Sequence, residues 1–299
     1  MRAAVARLPL QPSRFVSRLL NTEFSRDKVS CLQARRLHTV SKTDVLVEDA
    51  KRENWRRRVD LAACYRGFEK FGLHEGVCNH LSMMAPAADG KGQVMLLIPY
   101  GLHWSEVRAS SFVGLNKRGQ VVEGDGKAEI SAATIHLGVH NARPDAVCVF
   151  HLHPPYCTAI GSLKNPELRM CHQNSCRFYN CIAYDRDYSG LSHDDEEGMR
   201  TGRQLGDKSV LFMCNHGVLV VAETAAKAFD DIYYLERACM TQVLALSTGE
   251  ALFELPEELV SQVHEQFHKE NDVAKMNFSG AHFESVKRIL AKENPDFME

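Results

Sequence analysis

Two apolar runs of the sequence end in histidines, and this pattern constrains the fold more than any other feature. Residues 147–150 are apolar and are followed by His151 and His153. Residues 210–214 are equally apolar and lead to His216. Each run predicts a buried β-strand that ends where its histidines begin. Because residues i and i+2 of a strand point to the same face, His151 and His153 can meet one ion, and His216 of a neighbouring strand can join them.

Three imidazoles around one ion form a catalytic type of metal site, since three protein ligands leave one coordination position open. Ordinary core or surface histidines are the alternative, because a His-X-His arises easily by chance in a chain with 14 histidines. Two features favour the metal site: both strands run into loop residues, Pro154 and Gly217, and their apolar neighbours cannot satisfy buried imidazoles. The spacing alone leaves both interpretations open.

The remaining hydrophobic periodicity predicts strands that alternate with helices. Strands are expected at residues 76–84, 93–99, 147–152, 209–214 and 218–221, and helices at 48–71, 131–142, 194–206 and 223–246. This alternation predicts the α/β class, although periodicity cannot distinguish a parallel sheet from a mixed one. Residues 250–299 carry two further helical stripes, which we expect to pack back on the domain; a partner-binding tail is the alternative.

Composition excludes several classes of function. The chain has 299 residues, enough for a substantial core, and a formal net charge of -2, which gives no reason to expect nucleic acid as a partner. No apolar run approaches the ~18 residues that span a bilayer, so we expect no membrane association. The ten cysteines lack a CxxC pair and lie mostly in apolar segments, as buried thiols of a reducing compartment do. A metal cluster of Cys171, Cys176 and Cys181 is the alternative.

Residues 1–40 differ in composition from the rest of the chain. They contain seven arginines and only two acidic residues, with serines and scattered apolar residues between them. This composition is typical of a mitochondrial transit peptide, so we expect import into the mitochondrial matrix. The alternatives are a basic tail on a cytoplasmic protein and an upstream extension from gene prediction. Residues 41–249 are then expected to form the main domain, and residues 250–299 a helical extension.

Five segments between about residue 55 and residue 249 carry a resemblance to a known family. They follow the order and spacing of that family, and they contain Asn79, His80 and Ser82; Tyr100 and Gly101; His136, His140 and Arg143; His151 and His153; and Asn215 and His216. The sequence resembles the class II aldolase/adducin family, which includes fuculose-phosphate aldolases, ribulose-phosphate epimerases and the adducin head. This resemblance implies a three-layer fold in which helices flank a central, mostly antiparallel sheet.

The resemblance also implies a site. The positions at which the family binds a divalent metal, most often one Zn²⁺ per subunit, match His151, His153 and His216. The loops that contact the substrate in the family match Asn79, Ser82, Tyr100 and Gly101. Family members are typically tetramers with sites at subunit interfaces, so we expect a homotetramer that binds a small-molecule substrate.

The sequence departs from the family at the proton carrier. The family's aldolases have a catalytic carboxylate four residues before the histidine that matches His136, and this chain has Ala132 there. Glu129 is the nearest acid upstream, although the register argues against its reaching the metal and it also suits a helix N-terminus. The other candidates are a metal-bound water and three tyrosines that serve equally well as half-buried packing: Tyr100, Tyr184 and Tyr188.

Two functions from different classes follow. The first is a metal-dependent lyase, aldolase or epimerase that acts on a small hydroxy-carbonyl compound or sugar phosphate through a metal-stabilised enediolate. Retention of the three histidines favours this function. The second is a non-catalytic, adducin-like cytoskeletal or interaction protein. Ala132 favours the second, because the adducin branch also lacks an acid there. We expect the enzyme.

Overall fold

An eight-stranded sheet is the centre of the computed structural model, which describes residues 42–187, 190, 195–273 and 277–299. The expected transit peptide and Tyr188 lie outside these residues. The strands are β1 (His80–Pro86), β2 (Gln93–Leu97), β3 (Val113–Leu115), β4 (Val121–Glu123), β5 (Cys148–Leu152), β6 (Ile182–Asp185), β7 (Val210–Met213) and β8 (Gly217–Ala222). Their order across the sheet is β4-β3-β2-β1-β5-β8-β7-β6. All neighbours are antiparallel except β6 and β7, which confirms the expected mostly antiparallel sheet.

Helices flank this sheet. The α-helices of the described residues are α1 (Lys42–Lys70), α2 (Ile130–Ala142), α3 (Pro155–Gly161), α4 (Asp195–Leu205), α5 (Ala225–Leu246), α6 (Glu257–Val273) and α7 (Phe278–Glu293). Short 3₁₀ helices span Trp104–Glu106, Ala109–Ser111, Ser175–Phe178 and Pro295–Met298. No helix in the described part of the chain combines the length with the hydropathy of a membrane span.

The side chains of β5 show how the helices divide between the two faces of the sheet. Phe150 belongs to a core shared with α1, α3, α5 and α7, whereas Val149 belongs to a core shared with α2 and α4. Because alternate strand residues point to opposite faces, the sheet lies between two helical layers. This is the predicted three-layer α/β fold. His151 has the same parity as Val149, so it points to the layer that α2 and α4 form.

The hydrophobic pattern does not predict β6 or α3. β6 has only four residues, too few for a recognisable alternation. α3 spans seven residues directly after Pro154, which is too short to show amphipathic periodicity. In addition, β1 begins at His80 and not at residue 76, because the residues before it form a loop that contains a turn.

The C-terminal helix α7 is part of the hydrophobic core. Its side chains Phe283, Val286 and Leu290 are buried with Phe68 of α1 and Phe229 of α5. The rings of Phe68 and Phe229 are stacked, with centroids 4.5 Å apart. α7 therefore covers the face of the sheet opposite to α2 and α4, while the expected boundary near residue 250 stays a prediction.

α2 and α4 cross with their backbones in direct contact. A Cβ atom on Gly138 would lie 2.3 Å from the carbonyl carbon of Gly198, and a Cβ atom on Gly198 would lie 2.3 Å from the carbonyl oxygen of Thr134. Side-chain carbons do not approach other atoms this closely, so only glycine permits this crossing. The two glycines thus set the distance of α4 from α2 on the outer face of the sheet.

We expect Gly198→Ala to destabilise the full chain by about 1–3 kcal/mol, because the added methyl group forces α4 away from α2. Gly161→Ala is a matched control, since Gly161 is also helical and its added carbon would lie 3.7 Å from Phe212 Cδ1, an ordinary contact. Urea denaturation of both variants measures the difference. Equal unfolding midpoints would show that the crossing tolerates a side chain.

Candidate metal centre

Three histidines from two neighbouring parts of the sheet converge at one point. His151 lies near the end of β5, His153 follows that strand, and His216 lies in the turn between β7 and β8. β8 pairs with β5, so the turn lies beside the end of β5. One ligand nitrogen of each ring lies within 4.8 Å of the others. Asn215, directly before His216, has a φ of 60°, which is rare for a residue with a side chain and makes this turn a specific one.

The hydrogen bonds of two of these rings fix their protons. His151 Nδ1 lies 3.1 Å from the carbonyl oxygen of Val218, and His153 Nδ1 contacts the carboxylate of Glu75. Both oxygens only accept, so each Nδ1 must donate, and in a neutral ring the Nε2 then keeps a lone pair. The two Nε2 atoms nevertheless lie 3.1 Å apart.

Two lone pairs that face each other at this distance repel, and a cation between them removes the repulsion. Two nitrogen ligands of a tetrahedral zinc ion lie about 3.3 Å apart, close to the observed separation. His216 completes the group, because its ring centroid is 4.7 Å from those of both other rings. The arrangement therefore fits a divalent metal ion with a fourth position open.

Burial keeps the imidazoles of His151 and His216 in the neutral form that binds metals. It lowers the pKa of His151 well below its usual range, with smaller contributions from His216 and His153. It also lowers the pKa of His216 to about 4. A neutral ring offers a free lone pair and does not repel a cation. These rings can therefore bind a metal ion at neutral pH without first losing a proton.

Glu75 is a functional residue that the sequence pattern does not reveal. It lies on an exposed loop 78 residues before His153, and no local motif marks it. A carboxylate that accepts from the second ring nitrogen of a metal-binding histidine fixes the tautomer and raises the basicity of the ligand. Asn79, expected to contact substrate, is buried, and its Oδ1 accepts from the backbone N–H of Glu75 at 3.0 Å. The structure thus places Asn79 behind the loop that carries Glu75.

A cavity of about 860 Å³ opens in front of the three histidines. Glu129 lines it, with Oε2 accepting from the Ala132 N–H at 2.6 Å and lying 3.9 Å from His80 Nε2. The Ala132 side chain is buried against Met95 and Leu97 and does not line the cavity. The register that was expected to keep Glu129 away from the site therefore turns Ala132 to the sheet and Glu129 to the cavity wall.

The structure brings one of the four expected substrate-binding residues to the cavity. Tyr100 lines it and is 68% exposed, and Gly101 follows with a φ of 87°, a conformation that favours glycine. Ser82 is fully buried, with its Oγ 2.6 Å from His136 Nδ1 and 2.9 Å from His140 Nε2. Ser82 thus belongs to a buried polar network behind the site.

Tyr184, an expected catalytic residue, is partly buried and packs against the hydrophobic core. Its ring stacks on Phe212 with centroids 5.3 Å apart, and its hydroxyl accepts from the backbone N–H of Leu168 at 2.9 Å. Burial raises the pKa of Tyr184 to about 12. Since Tyr184 is also absent from the cavity lining, the structure gives it no route to a substrate in this cavity.

The cavity wall is acidic. Its charged lining, apart from the histidines, consists of five carboxylates and one guanidinium: Glu75, Glu129, Asp185, Asp187, Glu197 and Arg200. Arg200 Nη1 lies 2.6 Å from Asp185 Oδ2, and Nη2 lies 2.7 Å from Glu197 Oε1. Because Arg200 is already paired with two carboxylates, the described wall has a net negative charge.

Comparison with known proteins agrees with this fold and site. The model of the "Class II Aldolase and Adducin N-terminal domain" family matches residues 59–243. A Caulobacter vibrioides protein named "Putative aldolase class 2 protein" is 34% identical over 247 residues, which cover 82% of this chain and 93% of that protein. Alpha-adducin of Mus musculus is 35% identical over 196 residues, which cover 64% of this chain but only 26% of the adducin.

A solved structure also has a similar fold. The crystal structure of an aldolase II superfamily protein from Pseudomonas syringae superposes with a TM-score of 0.74 at 29% sequence identity, covering 83% of this chain and 96% of that chain. The family model spans more than half of this chain, and the order of its strands and helices is shared with a solved member. The chain belongs to the class II aldolase and adducin N-terminal domain family.

Proposed function

We propose that this chain is a metal-dependent lyase of the class II aldolase type, which cleaves or epimerises a small hydroxy-carbonyl compound. The observation that carries this proposal is the 3.1 Å approach of the Nε2 atoms of His151 and His153 at the wall of a cavity. His216 supplies the third ligand. A divalent ion held there, with zinc as our proposal, would polarise the hydroxyl and carbonyl oxygens of the substrate.

The residues around the three ligands hold them ready for this chemistry. The carbonyl oxygen of Val218 orients His151, and the carboxylate of Glu75 orients His153. Both contacts come from rigid parts of the sheet or from the loop that Asn79 anchors. Little reorganisation is then needed when charge develops on the substrate oxygens, and this preorganisation is a major source of catalysis in such sites.

We assign the proton transfer to Glu129. Its carboxylate lies in the cavity wall at the N-terminus of α2, where the Ala132 N–H holds one oxygen in place. His80 stands 3.9 Å away, and burial lowers the pKa of His80 to about 4, so this ring stays neutral and does not neutralise the carboxylate. Glu129 can therefore take a proton from a substrate carbon or hydroxyl and return it. Tyr100, at the exposed side of the cavity, is the second candidate.

The negative charge of the cavity wall indicates which charge a substrate can carry. A phosphate group needs cationic or N–H donors, and the described wall has a single guanidinium that two carboxylates already engage. Hydroxyl groups, in contrast, donate readily to carboxylates. We therefore favour an uncharged polyhydroxy aldehyde or ketone over a sugar phosphate.

An adducin-like interaction protein is the second candidate, because the chain is 35% identical to alpha-adducin over 196 residues and has Ala132 in place of the usual acid. A homotetramer and a mitochondrial location stay predictions for either function.

Metal analysis and turnover of the full chain test the proposal together. The His151→Ala/His153→Ala double variant should lose one equivalent of metal relative to the wild type, together with retro-aldol cleavage of short hydroxy-ketones. His172→Ala, which changes a histidine outside the cavity, should keep both. Wild-type protein that is folded, holds no more metal than the double variant and cleaves neither free nor phosphorylated sugars would favour the interaction protein.

Glu129→Gln should lower kcat by about 10²–10⁴-fold, because a general base contributes that much to proton transfer. Its metal content should equal that of the wild type, since Glu129 is not a ligand in this assignment. Glu250→Gln, an exposed glutamate outside the cavity, is the matched control. Steady-state kinetics on the same substrate measure both; a kcat within about twofold of the wild type would remove Glu129 as the proton carrier.

Glu75→Ala should weaken metal affinity by about 10–100-fold, because His153 loses the acceptor that fixes its tautomer. Competition with a coloured chelator measures this affinity. The exposed Glu167, changed to alanine, should leave it unaltered. Unchanged affinity in the Glu75 variant would mean that His153 is oriented by other contacts.

A further inference from the structure

A second group of metal-ligating side chains lies between α6 and the segment that leads into β6. Cys181 directly precedes β6, and His264 and His268 lie one helical turn apart on α6. The thiol sulfur and one nitrogen of each ring all lie within 4.8 Å of one another. These three residues do not line the cavity described above, and among the described residues neither Cys171 nor Cys176 joins them.

Hydrogen bonds again fix the ring protons. His264 Nδ1 lies 3.1 Å from the carbonyl oxygen of Cys176, and His268 Nδ1 lies 2.9 Å from the carbonyl oxygen of His264. Each Nδ1 must donate to its carbonyl, and in neutral rings both Nε2 atoms then keep lone pairs. The ring centroids are only 4.1 Å apart. Burial, followed by the neighbouring His268, lowers the pKa of His264, which keeps that ring neutral.

Cys181 supplies a soft ligand to the same place. It is a free, partly buried thiol. Burial raises the pKa of this thiol, while the Lys227 ammonium acts in the opposite direction. A metal ion beside the sulfur would displace the proton and stabilise the thiolate, as metals do at cysteine ligands.

We propose that Cys181, His264 and His268 form a second divalent-metal site, selective for zinc-like ions, with one coordination position left to water or an external ligand. A thiolate and two imidazoles suit zinc and disfavour magnesium or calcium, which require oxygen ligands. Ligand atoms of a tetrahedral zinc ion lie about 3.3–3.7 Å apart, so the group needs to close by about 1 Å. His268 is exposed on α6, and its side chain can make that movement.

The position of the site gives it a structural consequence. The metal would join α6 to the residue that precedes β6, and β6 ends at Asp185 in the acidic wall of the cavity. Asp185 in turn pairs with Arg200 of α4. The second site would therefore fasten helix α6 to the strand that supports this wall. It depends on no part of the proposed function.

Cobalt(II) distinguishes the two sites, because a thiolate ligand gives an intense charge-transfer absorption that an all-histidine site lacks. Metal-stripped full chain titrated with CoCl₂ should show this band. Cys181→Ser should abolish the band. His268→Ala should weaken cobalt binding at this site by more than about tenfold, since loss of even an outer partner of a ligand costs that much. His268 is exposed, so its replacement leaves the core intact. The His268→Ala variant therefore tests the second site even if Cys181→Ser fails to fold.

Two controls separate this site from the first. Cys78→Ser removes the exposed cysteine that lines the cavity near the three histidines, and it should keep the band. The His151→Ala/His153→Ala variant should keep it as well. Absence of the band in the wild type, its persistence in Cys181→Ser, an unchanged cobalt affinity in His268→Ala, or loss of the band in Cys78→Ser would each overturn the assignment.

Discussion

The 3.1 Å approach of His151 Nε2 and His153 Nε2 is the interaction on which the site depends. Without a cation the two lone pairs repel, and the protein keeps them together by fixing the opposite nitrogen of each ring. One of the two fixing contacts comes from β8, whose pairing with β5 brings the Val218 carbonyl to His151. The other comes from Glu75. The geometry of the ligands thus follows directly from sheet register on one side and from a single loop on the other.

The same register places the acid–base machinery. β1 pairs with β5 so that His80 is the Cα partner of His151. His80 in turn reaches toward Glu129 at the start of α2, which covers this face of the sheet. A change in strand pairing of one residue would turn both histidines to the opposite, apolar face. The proposed metal ligands and the proposed proton carrier are therefore not independent features, since one pair of strands orients the residues that contact both.

Sequence reasoning located the parts of this site that depend on strand geometry. The period of two along β5 puts His151 and His153 together, and the order of the family motifs gives the three-layer fold. It missed Glu75, because the contact with His153 joins residues 78 positions apart and depends on loop conformation alone. It named Glu129 as a candidate but with a register that argued against its reaching the metal, because the direction of a side chain at a helix start depends on where the helix begins, which periodicity fixes only within a few residues. Asn79 and Ser82 match family positions, yet their burial could be learned only from packing.

The acidic wall of the cavity can compensate the charge of an ion that is bound by three neutral ligands. Three neutral imidazoles leave both charges of a divalent ion uncompensated, in contrast to sites with thiolate or carboxylate ligands. The carboxylates around the cavity can balance this charge without entering the coordination sphere, and Arg200 holds two of them, Asp185 and Glu197, in place. Such an arrangement keeps the ion electrophilic toward the substrate while it lowers the cost of holding a dication in a partly buried place. It would also oppose the entry of an anionic group, so in the proposed function the charge that stabilises the ion would also select an uncharged substrate.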